Sequence, residues 1–477
     1  MQVLYLFRRD LRLRDHAGLA QAAALGAVVP ALVFDSGTRA RLARSPRRAA
    51  FFCDALASLA ADLREARTPL VVRRGPLLSS VKRLARETQA GAVVWASAYD
   101  AATVERQRNL QRSLEEASLR AHVVHDAPAA PPEETAAARS AEGGLGYRAL
   151  GPYLAAWRAS RRLPVSAQPR FVDANVASDP LPSRDELGAA PSGADETASE
   201  RGALEALERY LSGPALQYRT ARNVPSGEPT ARISVALSFG TLAARTVLAR
   251  IDERLHDPFL LAEERLSLET LVQALAARDF FLQLAWFFED QPDRVLQPRM
   301  RGFRFAPAHA ALKVWREGRT GFPLVDAGLR QLRETGWMHP RVRAVAASFL
   351  CFDLGVDWRA GRDAWDAWLT EDEPALATGN WQWIAGVGAD LAAYPRIYNP
   401  LKQARRFDPA AKYVRRWIPE LAALPDAAIL DPLVGRHERQ LQLALFGERD
   451  YPLPVLDHEA AARAFLQRYT REVRTPA

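Results

Sequence analysis

The 477-residue chain has only two cysteines, three methionines and eight histidines. Cys53 and Cys351 stand far apart in segments with helical patterning, which excludes a disulfide framework and a metal–thiolate cluster. No metal site is expected. A long uncharged apolar run is also missing: MQVLYLFRRDLRLRDH leads into a short apolar strand rather than an export signal, and nothing later is apolar enough to span a bilayer. The chain therefore reads as soluble and cytoplasmic, with no membrane partner. Absent too is a GxGxxG or GxxxxGK(S/T) loop after the first strand; FRRDLRLRD stands there, which excludes an ordinary dinucleotide site in that region. No internal repeat of fixed period occurs.

What the chain does have is 48% hydrophobic and 25% charged residues, enough for a large core in two or more domains. Its net charge of +8 and pI near 9.7 fit a polyanionic partner, because clustered Lys and Arg release counterions on binding phosphates. An Ala- and Arg-rich composition alone gives the same balance. Across residues 1–130, β-branched runs at 3–7, 28–34, 70–73, 92–96 and 122–124 alternate with amphipathic stretches such as 48–66 and 102–117. This alternation predicts an α/β domain built on a doubly wound parallel sheet with right-handed crossovers. Residues 131–200, rich in Pro, Ala, Ser and Asp from 164 onward, read as an interdomain connector. Residues 201–477 show apolar spacings of three and four and Gly- or Pro-marked turns, and predict an all-α C-terminal domain.

Three segments of the helical half stand out. YRTARNVPSGEPTARIS, residues 218–234, places a turn-rich loop before a helix expected to begin near Thr230. Free N–H groups there suit a pyrophosphate, or Thr230 or Ser234 is an ordinary N-cap. TGFPLVDAGLRQLRETGWMHPRVR, residues 320–343, joins a helix to a Trp-Met-His-Pro turn and two arginines spaced i, i+2. GNWQWIAGVGADLAAYPRIYNP, residues 379–400, carries Trp381 and Trp383, which point about 200° apart on a helix. One can be buried while the other meets a ligand, or both can be packing residues.

Together with FRRDLRLRDH at 7–16 and LAARDFF at 275–281, these motifs resemble the photolyase/cryptochrome family over nearly the whole chain. The resemblance implies an N-terminal α/β domain, a helical domain holding a U-shaped FAD, and a basic groove for damaged DNA in the members that repair. A second, antenna chromophore of folate or deazaflavin type is a further possibility of the family. Carried over position by position, Tyr218, Thr230, Ala231, Arg232, Ile233 and Ser234 hold the phosphates, while Arg278, Trp337 and Arg343 line the cofactor cavity. Glu371 and Glu373 replace two aspartates near the ribose and flavin ring. Ala377 stands where an asparagine faces flavin N5, with Thr378 there if the alignment slips by one; an alanine side chain cannot make that hydrogen bond. In the electron-transfer chain, Trp381 matches the flavin-proximal tryptophan and Trp358 the middle one. Phe305 takes the surface position and is hard to oxidise, which leaves Trp315, Trp365 or Trp368 as substitute exits.

In the substrate region, Arg222, Arg341 and Trp383 keep phosphate contacts and an aromatic face, whereas Ala274, Ala277 and Ala344 replace bulkier or acidic groups. The leading reading is a monomeric light-driven DNA repair flavoprotein that takes up an ultraviolet photoproduct flipped out of the duplex. A cryptochrome-like photoreceptor that binds FAD without repair is the alternative, favoured by the alanines and disfavoured by the absence of a long tail after the helix around 460–469. A flavin-free DNA-binding relative is the third.

Overall fold

A computed structural model of the chain describes residues 1–141, 144–165, 169–191, 195–227, 230–288, 293–306, 309–389, 394–431 and 451–474. Residues 228–229 and 390–393, parts of two of the motifs above, lie outside the described residues. By packing, the chain forms two compact units that do not follow chain order. The first comprises residues 1–219, 231–292 and 370–376; the second comprises 220–230, 293–369 and 377–477.

Strands β1 (Gln2–Phe7), β2 (Ala27–Phe34), β3 (Val71–Arg74), β4 (Ala90–Ala96) and β5 (Arg120–Val124) form a parallel sheet in the order β3-β2-β1-β4-β5. Their continuous apolar runs follow from burial on both faces. Alternate residues of β1 serve two cores. Val3, Tyr5 and Phe7 pack with α1 (Ala17–Leu25) and α2 (Pro46–Glu65), while Leu4 and Leu6 pack with α3 (Leu77–Glu87) and α4 (Ala101–Glu116). Helices on both faces make the sheet doubly wound, and each expected strand lies within two residues of its observed limits. Ser45 and Asp100 accept from Arg48 N and Thr103 N to cap α2 and α4, satisfying orphan N–H groups.

Residues 131–200 differ from the expected connector. They pack entirely within the first unit: α5 (Leu150–Ser160) buries Tyr153 and Trp157, Phe171 bridges Val28 of β2, and Ser178 Oγ accepts from Val72 N at 2.9 Å. The helices α6 (Glu200–Leu211), α7 (Ser234–Phe239), α8 (Ala244–Leu255) and α9 (Ala262–Phe287) belong to the same unit. A division by secondary-structure type at residue 200 therefore does not coincide with the division by packing.

The tie between the sheet and these helices is ionic. Asp126, just past β5, accepts from Arg12 Nη2 at 2.7 Å, Arg245 Nη2 at 2.9 Å and Ala17 N at 2.8 Å. Arg245, on α8, also donates to Asp15 at 2.9 Å, and Arg12, Asp126 and Arg245 are each at most 3% exposed. Burial alone raises the Asp126 carboxyl, but Arg12, His16 and Arg245 hold it well below the usual carboxylate range.

The second unit buries one core. It contains α10 (Pro323–Thr335), α11 (Pro340–Ser348), α12 (Trp358–Asp366), α13 (Pro374–Ile384, entering at 377), α14 (Pro400–Phe407), α15 (Lys412–Trp417) and α16 (His458–Tyr469). In the TGFP turn, Asp326 accepts from Thr320 N at 2.9 Å, Thr320 Oγ1 at 2.8 Å and Gly321 N at 2.9 Å.

Asp126→Ala removes the acceptor that two buried guanidiniums share. It should lower stability to urea by about 3–5 kcal/mol, the usual cost of breaking a buried ion pair. A loss below ~1 kcal/mol in that titration would show that the network is dispensable.

Candidate functional site

The first unit carries a cavity at the carboxyl ends of its strands. The order β3-β2-β1-β4-β5 reverses direction between β1 and β4, the place where open α/β sheets leave a crevice for ligands. Arg8, Asp10, Asp35, Trp95, Tyr99 and Arg106 are among its lining residues. Burial, and then the charge of Arg9, lowers the Arg8 guanidinium to about 10.

Residues 371–373 have no regular secondary structure, and their three acidic side chains make separate contacts within this unit. Asp372 pairs with Arg41 and lies 3.7 Å from both Arg9 Nη1 and Arg48 Nε. Glu371 accepts from Ser234 Oγ at 2.8 Å, and Glu373 lies 3.7 Å from Arg278 Nη2. Four of the residues assigned to the cofactor, Ser234, Arg278, Glu371 and Glu373, are thus in contact as two pairs. Glu373 is raised by burial more than Arg9 and Arg278 lower it. Its Oε1 is buried and has no hydrogen-bond partner.

Helix α9 holds Arg278 against Ala127 O at 2.9 Å while Ala274 and Ala277, one turn apart, stay half-buried. The helix expected near Thr230 begins four residues later, at Ser234, because Arg232 adopts a left-handed φ of 50° that cannot continue a helical turn. Ala231 and Ile233 flank Arg232 in this turn, and half-buried Tyr218 opens the short helix Tyr218–Ala221.

In the second unit, Thr230 Oγ1 is buried without a partner. Gly336 ends α10 with φ 72°, so Trp337 leaves the helix, and its ring lies 6.1 Å from that of His339. His339 Nδ1 then caps α11 by accepting from Arg341 N at 3.2 Å. Arg341, Arg343 and Ala344 are half-buried on α11. Arg343 donates to Met338 O at 2.8 Å; Arg341 donates to Asn223 Oδ1 at 2.5 Å and lies 4.8 Å from the Phe407 ring. Burial lowers the Arg341 guanidinium; Tyr398 opposes this and Arg222 and Arg406 add to it, so these cations share one neighbourhood. Trp383 is half-buried with the Arg396 guanidinium 5.7 Å from its ring, whereas Trp381 is 3% exposed. The two tryptophans thus differ in burial, as their angular separation on α13 requires. Ala377 starts the second unit's part of α13 and is half-buried. Trp358 is fully buried, and Phe305 is half-buried with its ring 5.2 Å from that of Phe303.

The first unit is thus a doubly wound α/β domain with a cavity at its strand switch point, and the second a helical unit that gathers cations. Comparison with known proteins identifies the family. Residues 3–170 match the family model "DNA photolyase", and residues 271–471 match "FAD binding domain of DNA photolyase". A deoxyribodipyrimidine photo-lyase from Streptomyces griseus is 36% identical over 97% of this chain and 98% of its own length. A class III photolyase structure from Agrobacterium tumefaciens is 28% identical with a TM-score of 0.84, covering 99% of this chain and 98% of that one. An archaeal photolyase structure from Sulfolobus tokodaii "with two FAD molecules" is 25% identical with a TM-score of 0.81, covering 99% and 100%. The chain belongs to the DNA photolyase family and carries its FAD-binding domain.

The residues present fit FAD: the orphaned Thr230 Oγ1 and Glu373 Oε1 are buried polar atoms that need partners a polar cofactor supplies. Sequence reasoning missed Arg396, Arg406 and Asp372. Asp372 had a signal, since it stands between two acidic residues already assigned to the cofactor and had no role of its own.

Asp372 gives the site a pH dependence. Burial raises its carboxyl, but Arg41, Arg9 and Arg48 pull it down to about 2. Because this value lies below that of the unfolded chain, the carboxylate stabilises the fold above about pH 4, and the contribution disappears as pH falls from there toward 2. Asp372→Asn should cost about 2–3 kcal/mol at pH 7 and flatten the acid limb of the stability profile. An acid limb as steep as that of the wild type in thermal melts would exclude Asp372 as its source.

Proposed function

We propose that this protein is a light-driven DNA repair enzyme of the deoxyribodipyrimidine photo-lyase type, acting as a monomer in the cytoplasm. Tyr218 and Thr230 to Ser234 hold the FAD phosphates, Arg278, Trp337 and Arg343 line the cofactor cavity, and Glu371 and Glu373 receive the ribose and ring donors. When bound, FAD supplies the light-excited electron that splits a pyrimidine photoproduct.

The observation that carries the DNA reading is the gathering of half-buried Arg341 with Arg222 and Arg406, where burial first, and then these two charges, lower the Arg341 guanidinium. Cations gathered in one neighbourhood favour phosphate oxygens. Trp383 stacks on bases extruded from the duplex, since the reacting ring atoms cannot be reached inside the stack. Ala274, Ala277 and Ala344 leave room where the family has larger groups, which shifts the choice of photoproduct. Ala377 offers flavin N5 no hydrogen bond. The cavity at the strand ends takes a second chromophore; Arg8, Arg106 and Trp95 offer cations and an aromatic ring to it.

Repair is tested by illuminating ultraviolet-damaged DNA with the flavin-loaded protein, assaying cyclobutane and (6-4) products separately. Light-dependent loss of one product is expected. Flavin-loaded protein that restores neither would favour the cryptochrome-like photoreceptor. Arg341→Ala should weaken DNA binding and make the logarithmic salt slope shallower by about 0.9, one phosphate's share on duplex DNA. An unaltered slope would remove Arg341 from the interface.

A further inference from the structure

Trp381 has two tryptophan neighbours in ring contact among the described residues, and Trp358 is not one of them. Its ring centroid is 4.5 Å from that of Trp365 and 6.2 Å from that of Trp315, and Trp315 stacks on Trp365 at 5.9 Å with planes 15° apart. The sequence builds this cluster from α12. Gly361 and Trp365, four residues apart, share a buried face, and a Cβ on Gly361 would meet Trp381 Cη2 at 2.3 Å. Only glycine at this position lets the Trp381 ring lie so close to the helix.

The family's usual exit is poorly equipped here. The fully buried Trp358 ring has the Arg359 guanidinium at 4.8 Å and that of Arg362 at 5.3 Å, and among the described residues it makes no ring contact with Trp381. Beyond it, Phe305 contacts Phe303, and Phe303 contacts Phe465, which contacts Phe352. None of these rings is readily oxidised.

We propose that Trp365, with Trp315 stacked on it, is the electron relay that refills Trp381 during photoreduction, in place of Trp358 and the 305 position. The proposal rests on the FAD reading. On illumination one electron leaves Trp381 for the flavin, and the indole is left as a radical cation. Trp365 gives one electron to Trp381 and takes over the hole, sharing it with Trp315. The Trp365 Nε1 is buried with no hydrogen-bond partner, and Trp315 Nε1 donates to the Ala346 carbonyl at 3.1 Å, so neither ring has a base to take its proton and trap the hole. The hole leaves through half-buried Trp368, whose backbone N–H donates to Trp365 O at 2.9 Å. The Arg316 and Arg333 guanidiniums, 5.5 and 5.9 Å from its ring, favour release of the Trp368 indole proton to water. An external thiol returns the electron and a proton, and two thiyl products couple to a disulfide.

The test uses FAD-loaded, oxidised protein. Tryptophan radical absorption is followed after a blue pulse, and steady photoreduction is measured in excess thiol. Trp365→Phe should lower both the long-lived radical yield and the steady rate at least tenfold, and far more than Trp358→Phe does. Phe305→Trp, which keeps the relay intact, should raise the steady rate by no more than twofold. Circular dichroism in the indole bands, read without photochemistry, should lose an exciton couplet in Trp365→Phe and retain it in Trp358→Phe. A larger loss in Trp358→Phe than in Trp365→Phe, an equal loss in both, or a tenfold gain in Phe305→Trp would overturn the relay. Wild-type protein purified without flavin absorption bands would overturn the FAD reading instead.

Discussion

One buried carboxylate, Asp126, organises the first unit. It sits at the end of the last strand and binds guanidiniums from two distant parts of the chain, Arg12 beyond β1 and Arg245 on α8. A charge so buried is tolerable only when fully partnered, and its partners are then equally committed. The network therefore does more than add stability: it fixes which helices can close over the carboxyl ends of the strands. The loop beyond β1, and with it Arg8, Arg9 and Asp10 at the cavity, is held in place by the same constraint.

A second carboxylate repeats this logic within the same unit. Asp372 lies beside three arginines drawn from the loop after β1, from the segment before α2 and from α2 itself. Its neighbours Glu371 and Glu373 meet Ser234 and Arg278. Within three residues the chain thus supplies one anion to an arginine cluster and two to the groups assigned to the flavin. Glycine in place of Asp372 would leave Arg9, Arg41 and Arg48 without it.

Much of this was legible in the sequence. The strands were, because parallel strands buried on both faces must be continuous β-branched runs, and those runs ended at turn residues. Arg278, Ser234, Glu371 and Glu373 were named from motifs, and the fold brings them into contact pairwise. The start of α7 was misread, since nothing in PTARIS announces that Arg232 takes a left-handed conformation. The stretch at 131–200 was misread because its composition resembles a linker, whereas its order comes from tertiary pairings such as Phe171 with Val28 and Trp157 with Asp279. Periodicity registers burial along one helix, not which distant ring a tryptophan touches. The contact of Trp365 with Trp381 depends on Gly361, whose role is invisible until α12 and α13 are in place.

The order in which the first unit acquires its parts has a consequence for biosynthesis. Residues 370–376 belong to it, yet 77 residues of the second unit, Asp293–Leu369, precede them in the chain. On the ribosome the sheet and its helices emerge first, with Arg9, Arg41 and Arg48 gathered and still lacking Asp372. Translation must run through those residues before the anion arrives, so the unit completes its electrostatics only after nearly half of the second unit has been synthesised. Its maturation is timed by the reading frame, and a nascent chain stalled before residue 370 carries a nearly finished α/β unit whose Arg9, Arg41 and Arg48 lack the Asp372 carboxylate.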